Sequence, residues 1–260
     1  MDDSPQNPPR QGGEARPEQA GPAISLERAL ELLATGDIQL HGLLPWSSNY
    51  TFLVQVSDEE LKALAVYKPS RGERPLWDFP EGTLALREMA AYVVSQALKW
   101  GLVPPTVLRQ GPHGPGMVQL YVDVDHEQHY FTFGERHVEE AQRIAVFDAL
   151  INNADRKAGH VLEDAQGHVW AIDHGVCFSP DPKLRSVIWD FAGQPIPSDI
   201  LDDLRALREQ MGLRSPFRRA LEKLLAPEEI EAMQRRLDRL IARRKFPKPG
   251  PDRHYPWPPI

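Results

Sequence analysis

The sequence predicts an α+β fold in two lobes, an antiparallel sheet lobe first and a helical lobe after it. Three observations carry that expectation. Short apolar stretches with strand character dominate from about Ile38 to Val122, with one long helical stretch among them. Beyond about Asp125 the apolar residues recur mainly at helical spacing. Where the two regimes meet their chemistry, Asp155 and Asp173 sit in short polar motifs held against apolar runs. A chain of 260 residues is long enough for two lobes sharing a cleft.

The elements follow in order. Met1 to about Pro22 is rich in Pro, Gly, Gln and acids with almost no large apolar side chain, so burial cannot offset the entropy of ordering, and residues 1–23 read as a disordered tail. The N-terminal lobe is expected over 24–123. Leu26, Ala29, Leu30, Leu32 and Leu33 make a first helix with Ser25 as N-cap and Gly36 as stop. Strands are expected over Ile38 to Leu44, Tyr50 to Val56 and Leu64 to Lys68, an antiparallel meander. A Pro- and Gly-rich loop leads into a helix from Leu84 to Trp100, which Gly101 ends. Two more strands, Val103 to Leu108 and Met117 to Val122, are joined by a turn at Gly111 to Gly116, with a hinge near Val118 to Val122. The C-terminal lobe is expected over 124–245, with a helix from Val138 to Leu150, short strands at Val161-Leu162 and Val169 to Ile172, and helices near Ile200 to Met211, Pro216 to Leu225 and Pro227 to Arg244. Residues 246–260 are Pro rich and read as an extended tail.

Composition narrows the function. With 30 basic against 37 acidic residues the formal charge is −7 and the pI near 5.7, which excludes a general nucleic-acid binder. Any anionic substrate must be gripped locally. The single Cys177 forms no internal disulfide, and the N-terminus lacks a basic-then-apolar leader, so the expected location is cytoplasmic. No apolar run approaches the roughly 20 residues that span a bilayer, leaving at most peripheral membrane contact. The run from Arg235 to Lys245 is a basic helix face, read here as solvated, and His126, His129 and His137 are read as loop residues.

The chemistry-bearing motifs are Asn153-Ala154-Asp155-Arg156-Lys157-Ala158-Gly159-His160 and Ile172-Asp173-His174-Gly175. A loop aspartate, a possible metal ligand five residues on, and then a strand ending in Asp-x-Gly read together as a phosphoryl-transfer site. Asp155 can accept or align an acceptor hydroxyl, and Arg156 or Lys157 can offset charge. His160 stands where kinases usually carry an asparagine that binds a second metal, and imidazole favours Mn²⁺ over hard Mg²⁺. Lys68 closes the apolar strand Leu64-Ala65-Val66-Tyr67, and a Lys68–Glu88 ion pair would hold its ammonium ready for phosphate oxygens. Between the first two strands, Ser47, Ser48 and Asn49 stand where a nucleotide kinase covers the phosphates. A polar hairpin turn explains them equally well.

The segments Val66-Tyr67-Lys68-Pro69, Glu88 to Tyr92, Gly101 to Thr106, Ala154-Asp155-Arg156 and Ala171 to Phe178 resemble, in order and spacing, successive motifs of the phosphatidylinositol 3-/4-kinase superfamily. They are most similar to the type II phosphatidylinositol 4-kinases and small bacterial relatives. The resemblance covers about Leu40 to Trp189. It implies a bilobal protein-kinase-like fold that binds ATP with Mg²⁺ or Mn²⁺, with Lys68 on the α-phosphate, Asp155 catalytic and Asp173 on metal. Trp189-Asp190-Phe191 is similar to the aromatic cluster after the metal motif in the lipid kinases, and core packing explains it as well. The departures are His160 and the Ser/Asn loop in place of glycines. The acceptor stays open between a lipid headgroup, a protein and a small molecule, and two rival readings stay open beside catalysis: a nucleotide-binding pseudokinase, and nucleotidyl transfer by flipped ATP.

Overall fold

A computed structural model describes residues 24–44, 50–251 and 253–260. The expectations for the N-terminal tail and for Ser47, Ser48 and Asn49 lie outside the described residues.

Helix α1 (Leu26–Thr35) starts at Ser25, whose hydroxyl accepts the Arg28 N–H at 3.2 Å, and buries Leu32 and Leu33. Gly36 follows it in an extended conformation, so its role is space rather than a left-handed turn. A Cβ there would lie 2.8 Å from Leu32 O and from Val56 Cγ1. Strands β1 (Asp37–Leu43), β2 (Phe52–Ser57) and β3 (Lys62–Pro69) form the expected meander. The pair β4 (Thr106–Gly111) and β5 (Gly114–Leu120) completes a five-stranded antiparallel sheet in the order β1-β2-β3-β5-β4. Both strands run into the stretch expected as a turn, because the hairpin closes over only two residues, Pro112 and His113. Gly116 permits this, since a Cβ there would lie 2.4 Å from the Lys68 carbonyl oxygen.

Period-2 alternation along β3 decides where Lys68 points. Ala65 and Tyr67 are buried against α1 and the sheet, while Leu64, Val66 and Lys68 alternate onto the other face. Helix α2 (Leu84–Leu98) stops at Lys99, which takes the left-handed conformation before Gly101 is reached. Its first N–H groups, of Leu84 and Ala85, donate to the Glu73 carboxylate at 3.1 and 3.0 Å, so an acid from the preceding loop does the work of an N-cap. The buried residues Ala90, Ala91, Tyr92, Val94 and Leu98 join the core of the helical lobe. Arg87, almost fully buried, pairs with Glu229 at 2.6 Å and donates to Cys177 O at 2.7 Å.

Beyond the first sheet, β6 (Val124–His129), β7 (Val161–Asp164) and β8 (Val169–Ala171) form a second, three-stranded antiparallel sheet. Strand β6 carries no apolar alternation. It is an irregular edge strand held by pairing with β7, which corrects the loop reading of His126 and His129. His137 precedes α3 (Val138–Ile151) in a left-handed conformation, its Nε2 3.1 Å from Glu163. Helices α4 (Ser198–Glu209), α5 (Pro216–Glu222) and α6 (Pro227–Arg243) complete the large core with Leu204, Leu207, Leu221, Ile230, Met233 and Leu237. After Arg244 the described residues form no helix or strand, and the segment folds back on the lobe: Phe246 is buried, and Pro259 O accepts the Ala158 N–H at 2.9 Å. Among the described residues no helix is long and apolar enough to cross a membrane.

Candidate active site

Four elements bring the site together. Strand β3 delivers Lys68, the first turns of α2 deliver Glu88, and the loops after α3 and β8 deliver Asp155 and Asp173. Lys68 Nζ lies 2.6 Å from Glu88 Oε1 and 2.9 Å from Asp173 Oδ1. The lysine–glutamate pair expected from sequence is thus present, and Asp173 joins it. Burial opposes the ammonium charge, but the Asp173 and Glu88 carboxylates outweigh it and hold the Lys68 pKa above its ordinary value. Lys68 in turn holds Asp173 far below the usual carboxylate range, against burial.

Glu88 does more than steady the lysine. Its second oxygen accepts the backbone N–H of His174 at 2.8 Å, so one carboxylate ties the sheet lysine to the loop of Asp173. Asp173 itself takes the left-handed conformation at φ +62, a cost that Asp tolerates better than most side chains and that turns its carboxylate back toward Lys68 and His160.

Asp155 follows the left-handed C-cap Asn152 of α3, and its N–H donates to Asn153 Oδ1 at 2.9 Å. Burial, reinforced by Asp173 and opposed by Lys157, pushes its carboxyl up to about 6. Lys157 Nζ stands 3.7 Å from Asp155 Oδ2. Lys68, Glu88, Asp155 and Asp173 line one cavity of about 80 Å³, together with Glu73. That volume is below the roughly 300 Å³ of small ligand sites.

Arg156 corrects an expectation. Its guanidinium is fully buried and turned away from the cavity, with Nε and Nη2 on the two Asp148 oxygens at 2.9 and 3.0 Å and Nη1 on Ile172 O at 2.8 Å. Nη2 also donates to His174 Nε2 at 2.7 Å. Its donors are spent on holding the two aspartate loops together, so it has none for a substrate. Sequence reading missed this network, along with the second hold of Glu88. The available signal was Asp148, a carboxylate among Ile144, Phe147 and Ile151 on the buried face of α3.

His160 decides what a metal could find. Burial pulls its pKa down to about 4, so the ring is neutral at pH 7. Nδ1 lies 3.1 Å from the Asp155 carbonyl oxygen, which can only accept, so Nδ1 carries the proton. Nε2 then faces Asp173 Oδ2 at 3.4 Å, lone pair toward lone pair. Such a pair of atoms offers two ligands that a divalent cation could take. Among the described residues no three His, Cys, Asp or Glu side chains are grouped to hold a metal alone, so waters or phosphate oxygens must complete the shell.

Residues 41–227 match the family model described as phosphatidylinositol 3- and 4-kinase, reaching further toward α6 than the sequence motifs alone. Protein Rv2133c of Mycobacterium tuberculosis is 40% identical over 263 aligned positions, covering 87% of this chain and 94% of that protein. Phosphatidylinositol 4-kinase gamma 4 of Oryza sativa subsp. japonica is 32% identical over 136 positions, or 44% of this chain, and the match spans only 24% of the rice protein. Among solved structures, the Helicobacter pylori proinflammatory kinase CtkA aligns with a TM-score of 0.49 at 14% identity, covering 82% of this chain and 94% of that one.

Proposed function

The chain belongs to the phosphatidylinositol 3- and 4-kinase family, with its bilobal kinase-like fold, and on that premise we propose that it transfers the γ-phosphate of ATP to an acceptor hydroxyl. The observation that supports this above all is the position of Lys68 Nζ, 2.6 Å from Glu88 and 2.9 Å from Asp173 at the wall of the cavity that Asp155 also lines. In this reading Lys68 exchanges Asp173 for phosphate oxygens of ATP while Glu88 keeps its hold. Asp173 and His160 would hold Mg²⁺ or Mn²⁺, which would neutralise charge on the phosphates. Ser47, Ser48 and Asn49 are assigned to the phosphate-covering loop. Asp155 takes the proton of the acceptor hydroxyl. The acceptor oxygen bonds to the γ-phosphorus as the bond from that phosphorus to the β,γ-bridging oxygen breaks, and ADP leaves. Lys157 offsets the charge gathered there, and Arg156 acts only by holding the loops. The acceptor is a lipid headgroup, a protein or a small molecule.

The test is transfer of label from γ-labelled ATP, in Mg²⁺ or Mn²⁺, to the protein itself and to phosphatidylinositol, a serine-containing protein and polyols. Wild type is expected to transfer label, and Asp155→Asn to lose transfer while its melting temperature still rises with ATP and metal. A second reading, nucleotide binding without turnover, is favoured by His160 standing in place of asparagine. It wins if ATP and metal stabilise wild type but no acceptor is labelled. Intact-mass analysis distinguishes a gain of phosphate from a gain of AMP, the signature of nucleotidyl transfer.

A further inference from the structure

A second cavity, of about 830 Å³, shares no lining residue with the Asp155–Asp173 cavity. It lies between α6, the segment that follows Asp173, and the chain beyond Arg244. Arg235, Arg236, Arg239 and Arg243 face it from the helix, with Lys248 and Arg253 contributed by the C-terminal segment, and no Asp or Glu among the described residues lines it. This concentration of cations stands out in a chain whose net charge is −7.

Helix physics does not account for it. The macrodipole favours a cation at the C-terminus, which explains Arg243 but not Arg235 and Arg236 roughly two turns earlier. Arg235, Arg239 and Arg243 repeat at i,i+4, a spacing at which like charges destabilise a helix. Arg239, Arg243 and Lys248 have no ion pair among the described residues. The stem of Lys248 is laid across Gly193, where a Cβ would lie 2.6 Å from Lys248 Cε. Arg236 anchors this face of the helix to the lobe. Its Nε donates to Leu150 O at 2.8 Å and its Nη1 to Ser179 O at 3.2 Å, while Nη2 is buried without an acceptor. Burial, with the cations of Arg235 and Arg239, pulls its guanidinium down to about 10, a strain that a neighbouring anion would relieve.

We infer that this cavity binds a compact, multiply charged phosphate anion, with Arg239, Arg243 and Lys248 as its donors. The guanidinium fork matches phosphate geometry, and the volume lies within the roughly 300–1,000 Å³ of small-molecule sites. The ligand is either a free oligophosphate or the phosphomonoester headgroup of a lipid. The site does not depend on the phosphotransfer reading, since none of its residues takes part in that reaction.

The test is calorimetric titration with inorganic tripolyphosphate in EDTA at low salt. Wild type and Lys68→Ala are expected to bind alike, and Arg239→Glu/Arg243→Glu to bind at least tenfold more weakly, with affinity falling as salt rises. Lys248→Glu, outside the helix, gives the same loss if the double variant does not fold. A parallel arm sediments the protein with phosphatidylcholine vesicles with and without phosphatidic acid. Binding to the phosphatidic acid vesicles alone, lost in Arg239→Glu/Arg243→Glu, assigns the site to a lipid headgroup. Binding of neither probe, or tripolyphosphate binding lost in Lys68→Ala and kept in the double variant, overturns the inference.

Discussion

Burial sets the Asp155 carboxylate in an environment that disfavours its charge. Its carboxyl is pushed up to about 6 by burial and by Asp173, so it is a stronger base than a free aspartate yet still ionised at neutral pH. In the proposed role of base it must be ionised to act, so transfer is expected to be flat above about pH 7 and to fall about tenfold per unit below pH 6. Asp155→Asn is expected to lower the rate by about 10²- to 10⁴-fold above pH 7 and to lose the fall below pH 6. The stability consequence has the opposite sign. The folded protein holds this proton more tightly than the unfolded chain, so stabilisation from protonation is lost as pH rises from the ordinary 3.8 through about 6. At pH 7.5 the melting temperature of Asp155→Asn should therefore equal or exceed that of wild type, and a marked fall would contradict this account of the site. At this scale the residue types were legible and their orientation was not. Lys68, Glu88, Asp155 and Asp173 converge as their motifs suggest, whereas Arg156, adjacent to Asp155 in the chain, turns into the interior because Asp148 lies there to receive it.

At the level of elements, α3 links fold to site. Its C-terminus positions Asn152 to Asp155, and its Asp148 binds Arg156 and Asn153, so one buried carboxylate organises the loop that follows. Removing one partner of a buried pair leaves the other charge unsatisfied, at about 3–5 kcal/mol. Asp148→Ala is expected to destabilise by that amount in denaturant titration, and to cost transfer activity in the fraction that remains folded. A loss under 1 kcal/mol would mean that water replaces the carboxylate. Most elements could be read from spacing, as with Ser25 capping α1 and the meander of β1 to β3. The exceptions share a cause. Strand β6 exists by pairing with β7 and not by burial, and the ends of β4 and β5 are set by how closely Gly116 lets them approach β3, so neither leaves an apolar pattern.

For the whole molecule, the two cores are unequal. The sheet lobe closes over a small cluster centred on Leu32, Leu33, Val54, Val56, Tyr67 and Val118, while α2 to α6 share a far larger one. Local opening follows buried apolar contact, so amides of β1 and β2 are expected to exchange hydrogen faster than those of α3. ATP with metal, engaging Lys68 across the lobes, should slow exchange in β3 and raise global stability by about 2.7 kcal/mol at a hundredfold excess over Kd. Equal protection in both lobes, or no effect of nucleotide, would refute that picture. The sequence by itself determined the order of the lobes, the helical periodicity and the identity of Lys68, Glu88, Asp155 and Asp173, because these depend on residue type and local spacing. Only the tertiary structure decided that Glu88 joins Lys68 to the His174 backbone, that Arg156 serves the fold, that His160 presents Nε2 to Asp173, and that the arginines of α6 close over a cavity with the C-terminal segment. Each of those depends on the direction of a side chain across elements far apart in the chain, which burial and the partners available there set.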